Sequence, residues 1–171
     1  VTDDVFPLQI PEAGYLNKVG LVVFLVAELE GLIITDLVRF HPLLPPQLDF
    51  ATLRGMKVAG MTTSNMGQYF LAHAPRSTDE GVAEYYRAGG QALIEIGPKR
   101  NAMLHARPGV DGNDPQQKLR LLRWRPDTDH EKSEAHMIDD EWIDDLISTI
   151  IEIRTSVVAS RPRQPRLDGL Q

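Results

Sequence analysis

Seven consecutive residues, Lys99-Arg100-Asn101-Ala102-Met103-Leu104-His105, gather the side chains of this chain best suited to phosphodiester chemistry. An imidazole changes protonation near neutrality, so His105 can act as general acid or base. The guanidinium of Arg100 is permanently charged and matches phosphate oxygens two at a time, which suits it to charge that develops in a transition state. One such preorganised donor is worth ~3 kcal/mol. Asn101 sits four residues before His105, on the same face of any helix through the segment, where it can position the site. Lys99 and Arg107 flank the segment as candidate substrate-binding contacts to backbone phosphate. This chemistry calls for no metal and no cofactor. The other histidine cluster, His130 and His136 near Glu131 and Glu134, lacks a recognised ligand spacing.

The same residues have ordinary structural uses. Arg100 can pair with Glu95, His105 near a helix C-terminus is favoured by the dipole, and Asn101 is a common capping residue. Five residues of regular helix also turn about 140° out of register, so Arg100 and His105 do not share an ideal face. A helix distorted at Pro98, or a site completed across a dimer axis, would reconcile them. Arg123 and Arg125 stand at similar distances before His130, but Pro126 and a run of turn-forming acids keep those residues off one helix.

The elements that must position the segment follow from apolar periodicity. From about Glu12 to Phe40, Tyr15, Val19, Val22, Val26, Leu29, Ile33, Leu37 and Phe40 recur in steps of three and four, with Leu16, Val23 and Ile34 widening the stripe. This predicts a long central helix, ended by Pro42, Pro45 and Pro46. A short helix capped by Thr62 or Thr63 carries Met66, Tyr69 and Phe70 and closes at Pro75. Ser77 to Glu80 has capping-box spacing, and the helix after it places Val82, Tyr86, Gly89, Leu93 and Ile96 on one face. Of Tyr85 and Tyr86, one is expected in the core and one on the surface. Gly89 and Gly90 fit either a close approach by another helix or a weak point. Met103 and Leu104 read as core. Lys118 to Arg125, with Trp124 among arginines, reads as a strand, and Glu131 to Ile138 as its hairpin partner. Asp139 or Asp140 caps a last helix that buries Ile143, Leu146, Ile147, Ile150, Ile153 and Val157.

The Arg-Asn…His segment in this setting resembles the signature of the HEPN superfamily. The context extends over most of the chain: a long first helix, a short helix with Gly67 near its start, a third helix leading into Arg100-Asn101…His105, and a closing amphipathic helix. Members are helical bundles, commonly dimeric, and many are ribonucleases of toxin–antitoxin or phage-defence systems. The resemblance implies a metal-independent endoribonuclease in which Arg100 stabilises charge, His105 transfers protons and Asn101 positions. It also implies RNA as substrate, a cognate antitoxin as partner, and a homodimer with two copies of the segment facing one cleft. The alternative is a catalytically inactive HEPN-like module that binds RNA, nucleotide or a protein.

The bulk properties bound these readings. The chain has 171 residues, enough for one domain, here read as residues 1–160 with a flexible tail at 161–171. Cysteine is absent, which removes disulfides, thiol nucleophiles and cysteine-based metal sites and makes the cytoplasm the expected location. The apolar run from Val19 to Ala27 reads as buried helix. It is too short to span a bilayer and has no leader-like flank, so no membrane partner is expected. A net charge of −6 argues against bulk coating of nucleic acid. Yet residues 98–125 hold seven Lys or Arg against Asp111 and Asp114, and residues 126–152 hold ten acids against Lys132. The expected fold is all-α: a four-helix-type bundle with a small β-hairpin inserted before the last helix.

Overall fold

The first stripe of apolar residues folds as expected into α1 (Ala13–Arg39), which buries Tyr15, Val22, Val26, Leu29, Ile33 and Leu37. A computed structural model describes residues 10–48, 57–111, 114–122 and 135–163. Leu16 and Val23 do not widen the buried stripe; they are 43% and 44% exposed, and Phe24 is 65% exposed. A step of one residue turns a side chain about 100° around the helix, and the bundle covers α1 on one side only. The 19–27 run is therefore half-buried, not enclosed.

Helix α2 (Thr63–His73) buries Met66, Gly67 and Phe70 and gives way to a 3₁₀ turn, Ala74–Arg76, at Pro75. Helix α3 (Glu80–His105) starts one residue after Asp79, whose carboxylate accepts from the Val82 N–H at 2.9 Å. Asp79, not the Ser77–Glu80 box, is thus the cap, as suits an acid held in extended conformation at a helix start. The helix continues unbroken through Pro98.

Both Tyr85 and Tyr86 are buried, because α3 lies between α1 and α2 and has little free surface there. The Tyr85 hydroxyl donates to Asp36 of α1 at 2.7 Å, and the Tyr86 ring meets Phe70 of α2 at 5.4 Å. Burial pushes the Tyr85 hydroxyl pKa up, and the neighbouring Asp36 carboxylate pushes it further, so it stays a donor.

Glycines set the spacing of the α2–α3 pair. A Cβ on Gly90 would stand 2.8 Å from the Gly67 carbonyl oxygen, and one on Gly67 would stand 2.5 Å from that of Gly90. Two backbones touch here, so the close-approach reading of Gly90 is correct.

Before the last helix comes a three-stranded antiparallel sheet in the order β1 (Arg107–Asp111), β2 (Asp114–Leu122), β3 (Ala135–Ile138). The expected hairpin is present as β2 and β3, with Leu119 opposite Ile138 and Leu121 opposite His136. The added strand β1 contains Pro108-Gly109, a pair more typical of turns. It lies at the sheet edge, where proline's missing N–H breaks no internal ladder.

Helix α4 (Asp140–Ala159) is capped by Asp139, which accepts from the Trp142 N–H at 2.9 Å, and buries Ile143, Leu146, Ile150 and Val157. Ile147 and Ile153 are partly buried against the core. Lys18 meets Asp144 at 2.7 Å, Glu28 meets Arg154 at 2.6 Å, and Asp36 meets Arg161. These pairs advance together along both helices, so α1 and α4 run parallel. Arg161 is consequently fixed to the bundle rather than opening a free tail; residues 164–171 lie outside the described residues. The architecture is the expected mostly-α bundle with a small sheet before its last helix.

Two substitutions probe this packing. Asp36 is fully buried and accepts from both Tyr85 and Arg161, so Asp36→Ala should lower stability by about 3 kcal/mol in urea unfolding. Gly90→Ala should lower it by about 1–3 kcal/mol through overpacking, although alanine is the better helix former.

Candidate functional site

The end of α3 is held by Met103, which is 2% exposed in the core and thereby fixes the rotation of its neighbours. Leu104, expected beside it in the core, is 47% exposed. His105 is the last helical residue and is exposed. Lys99, Arg100 and Asn101 are half-buried, and Arg107 is exposed at the start of β1.

Arg100 does not pair with Glu95. Its Nη1 donates to the Asn101 side-chain oxygen at 3.1 Å, and it forms no salt bridge among the described residues. That bond joins the side chains of two neighbouring residues about one turn before His105 on α3.

Beside this segment lies a cavity of about 370 Å³ lined by Pro98, Lys99, Ala102, Leu121, His136, Ile138 and Trp142. One wall is α3, one is the sheet and one is the first turn of α4. Lys99 is the residue of the sequence-predicted set that lines it. Arg100, Asn101, His105 and Arg107 lie outside the lining. Ala102 lines the cavity between Arg100 and His105 in the chain, so cavity and segment share one end of one helix.

The sheet adds positive charge. Arg107 stands directly opposite Arg120 across β1 and β2, and both are exposed. Like charges at opposed positions destabilise a sheet by roughly 0.2–1 kcal/mol. Gly109 makes the room in which Arg120 lies: a Cβ there would meet Arg120 Cβ at 3.1 Å. A bound anion would remove the repulsion. Lys118 meets Asp140 at 3.6 Å and belongs to the ion pairs of the α4 start.

Sequence reasoning missed Arg120, Trp142 and His136 as site neighbours. Alternation in Lys118-Leu119-Arg120-Leu121 carried the signal for Arg120, since period two puts Lys118 and Arg120 on one face. Trp142 had no such signal, because only the fold brings α4 back to α3. The Arg123 and Arg125 spacings, Trp124 and most of the second histidine cluster (His130, Glu131 and Glu134) fall outside the described residues. Among the described residues no three His, Asp or Glu are placed to hold a metal ion, and no helix is long and apolar enough to cross a membrane.

Against family models, curated proteins and solved structures, nothing matches this chain. The site therefore stands on its own geometry.

The cavity wall depends on Tyr15. Its hydroxyl donates to the Ile138 carbonyl at 2.7 Å and accepts from the Leu119 N–H at 3.0 Å, tying α1 to both β2 and β3. Burial pushes the Tyr15 pKa up, so the hydroxyl keeps its proton for that bond. Tyr15→Phe should cost about 1–3 kcal/mol by leaving two backbone groups unpaired. Hydrogen exchange should show it as faster exchange at the Leu119 amide than at amides within α2.

Proposed function

We propose that this chain is a HEPN-like endoribonuclease of the toxin or defence type that cleaves RNA through its own 2′-hydroxyl. The observation that supports the reading is that Arg100, which among the described residues has no carboxylate partner, bonds the Asn101 side chain near the end of α3, the helix whose last residue is exposed His105. A half-buried guanidinium bonded to a neutral amide keeps donors that match the oxygens of a phosphate.

In the proposed reaction the 2′-oxygen attacks phosphorus and the bond from phosphorus to the 5′-oxygen breaks. The products are a 2′,3′-cyclic phosphate and a free 5′-hydroxyl. Neutral His105 takes the 2′-hydroxyl proton and, once protonated, returns a proton to the departing 5′-oxygen. Arg100 holds the non-bridging oxygens as their charge grows, and Asn101 keeps the guanidinium in place. Arg107 and Arg120 supply the next phosphate contact along the strand. The cavity lies within the ~300–1,000 Å³ of typical small-ligand sites and suits a nucleobase stacked against Trp142. Restraint by a cognate antitoxin protein belongs to the same proposal.

Incubation of end-labelled RNA tests it, with chelator present. The expected outcome is cyclic-phosphate ends, with cleavage reduced ~100-fold or more by Arg100→Ala and by His105→Ala while helical circular dichroism persists. Trp142→Ala should raise KM about tenfold with kcat little changed, the loss of one stacked base. RNA binding without turnover would replace the enzyme with an inert RNA-binding module, and neither binding nor turnover would end the reading.

A further inference from the structure

The register of the sheet decides which of its side chains reach the cavity beside the Arg100–His105 segment. Leu121 of β2 stands opposite His136 of β3, and opposed residues of an antiparallel pair point to one face. Ile138, two residues beyond His136, shares that face and is buried. Trp142 reaches the same cavity from the first turn of α4, where the Asp139 cap holds its backbone N–H and the side chain packs partly against the core. Pro98 and Lys99 come from α3.

The polar side chains of this lining are donors. The Lys99 ammonium and the Trp142 indole N–H can only donate. His136 donates through one ring nitrogen when neutral and through both when protonated. Among the described residues, no carboxylate, amide or hydroxyl side chain lines the cavity. None of the three donors is used internally either. Among the described residues, Lys99 and His136 form no salt bridge or side-chain hydrogen bond, and the Trp142 indole N–H forms no hydrogen bond. Two acids at the start of α4 are engaged elsewhere: Asp139 caps the helix, and Asp140 pairs with Lys18 and Lys118. A ligand that fits therefore brings acceptors to the donors and an apolar ring face to Trp142, Leu121 and Ile138.

We infer that the cavity is a guanine-selective base pocket, in which Lys99 and His136 read the base edge and Trp142 stacks on the ring. The inference rests on the ribonuclease reading for the strand to which the base belongs, and on the lining alone for the identity of the base. Guanine presents two adjacent acceptors, O6 and N7, on one edge with no donor between them. Adenine carries an amino donor beside N7, and cytosine presents an amino donor on the corresponding edge, so each would set N–H against ammonium. A uracil offers O4 alone there. Contact from lysine or arginine to guanine O6 and N7 is the commonest specific base contact for this reason.

Size and position agree. A volume of about 370 Å³ lies at the lower end of small-ligand sites and suits one base. Lys99 immediately precedes Arg100 in the chain, so a base held by Lys99 belongs to a nucleotide next to the cleaved bond. In this arrangement Lys99 contacts the base instead of the backbone phosphate expected from the sequence.

Nucleoside monophosphates test the pocket apart from cleavage. In nuclear magnetic resonance titrations of the full chain, guanosine monophosphate should bind at least tenfold tighter than its adenosine, cytidine and uridine counterparts and should shift the Trp142 indole N–H. The 7-deaza analogue, with C–H in place of N7, should lose most of that advantage. Lys99→Gln should turn the preference toward adenine, because a glutamine amide pairs with adenine N6 and N7. A lysine with a merely structural role would leave the order unchanged. In cleaved RNA, guanine should stand on one side of most cuts. Selective guanosine binding without cleavage would support the pocket while replacing the enzyme with a binding module. Cleavage indifferent to guanine, equal binding of the four monophosphates, or no binding of any at millimolar concentration would each overturn the pocket, and the cyclic-phosphate assay would then decide the ribonuclease reading by itself.

Discussion

The contact on which the site depends is the touching of two helix backbones at Gly67 and Gly90. It lets α2 lie close along α3, and the same pair meets again at Gly97, where Ser64 occupies the space a Cβ would need. That second contact falls beside Pro98, whose ring removes one helical hydrogen bond. Helix α3 is therefore clamped at the point where its own ladder is weakest. Beyond the clamp, Met103 enters the core and the helix delivers Arg100, Asn101 and His105 to one end of the bundle. Without it, Pro98 would be a natural place for the helix to end.

Charge is divided between two jobs. On α1 and α4 it is spent internally: Lys18, Glu28 and Asp36 each bind a residue at the matching height of α4 or just beyond it. Arg154 lowers the Glu28 pKa, so this contribution to stability is present above the ordinary carboxylate range and is lost as pH falls through the lowered value. Around the end of α3 the pattern differs. Arg100 is bonded to an amide, Arg107 faces Arg120, and Lys99 lines a cavity. An acidic protein thus carries several Lys and Arg on the end of α3 and the adjoining sheet, for which the proposed counterpart is an anionic substrate.

Much of the bundle was legible because burial follows period. The inner stripe of α1, the ends at Pro42 and Pro75, and the buried positions 143, 146, 150 and 157 of α4 all follow from spacing and local chemistry. Where periodicity misled, the cause was the number of neighbours. Tyr85 and Tyr86 are both buried because α3 is central, whereas Val23 and Phe24 are exposed because α1 is covered on one side. Strand β1 carried no strand pattern in the sequence, because Pro108 and Gly109 are poor strand formers that only an edge strand tolerates. For the site, the types and spacing of Arg100, Asn101 and His105 were legible, but their relation to Trp142 and Arg120 was not. Those neighbours come from long-range packing, which a linear pattern does not encode.

The most direct measurement of the central claim is a nuclear magnetic resonance titration with an oligonucleotide that carries 2′-deoxyribose at the scissile position. Such a strand keeps the phosphate but lacks the attacking hydroxyl, so binding is seen without turnover. The account expects the largest shifts at the His105 imidazole, the Arg100 guanidinium and the Trp142 indole N–H, with weaker ones at Arg120. Shifts confined to other faces, with those groups unmoved at saturation, would contradict it.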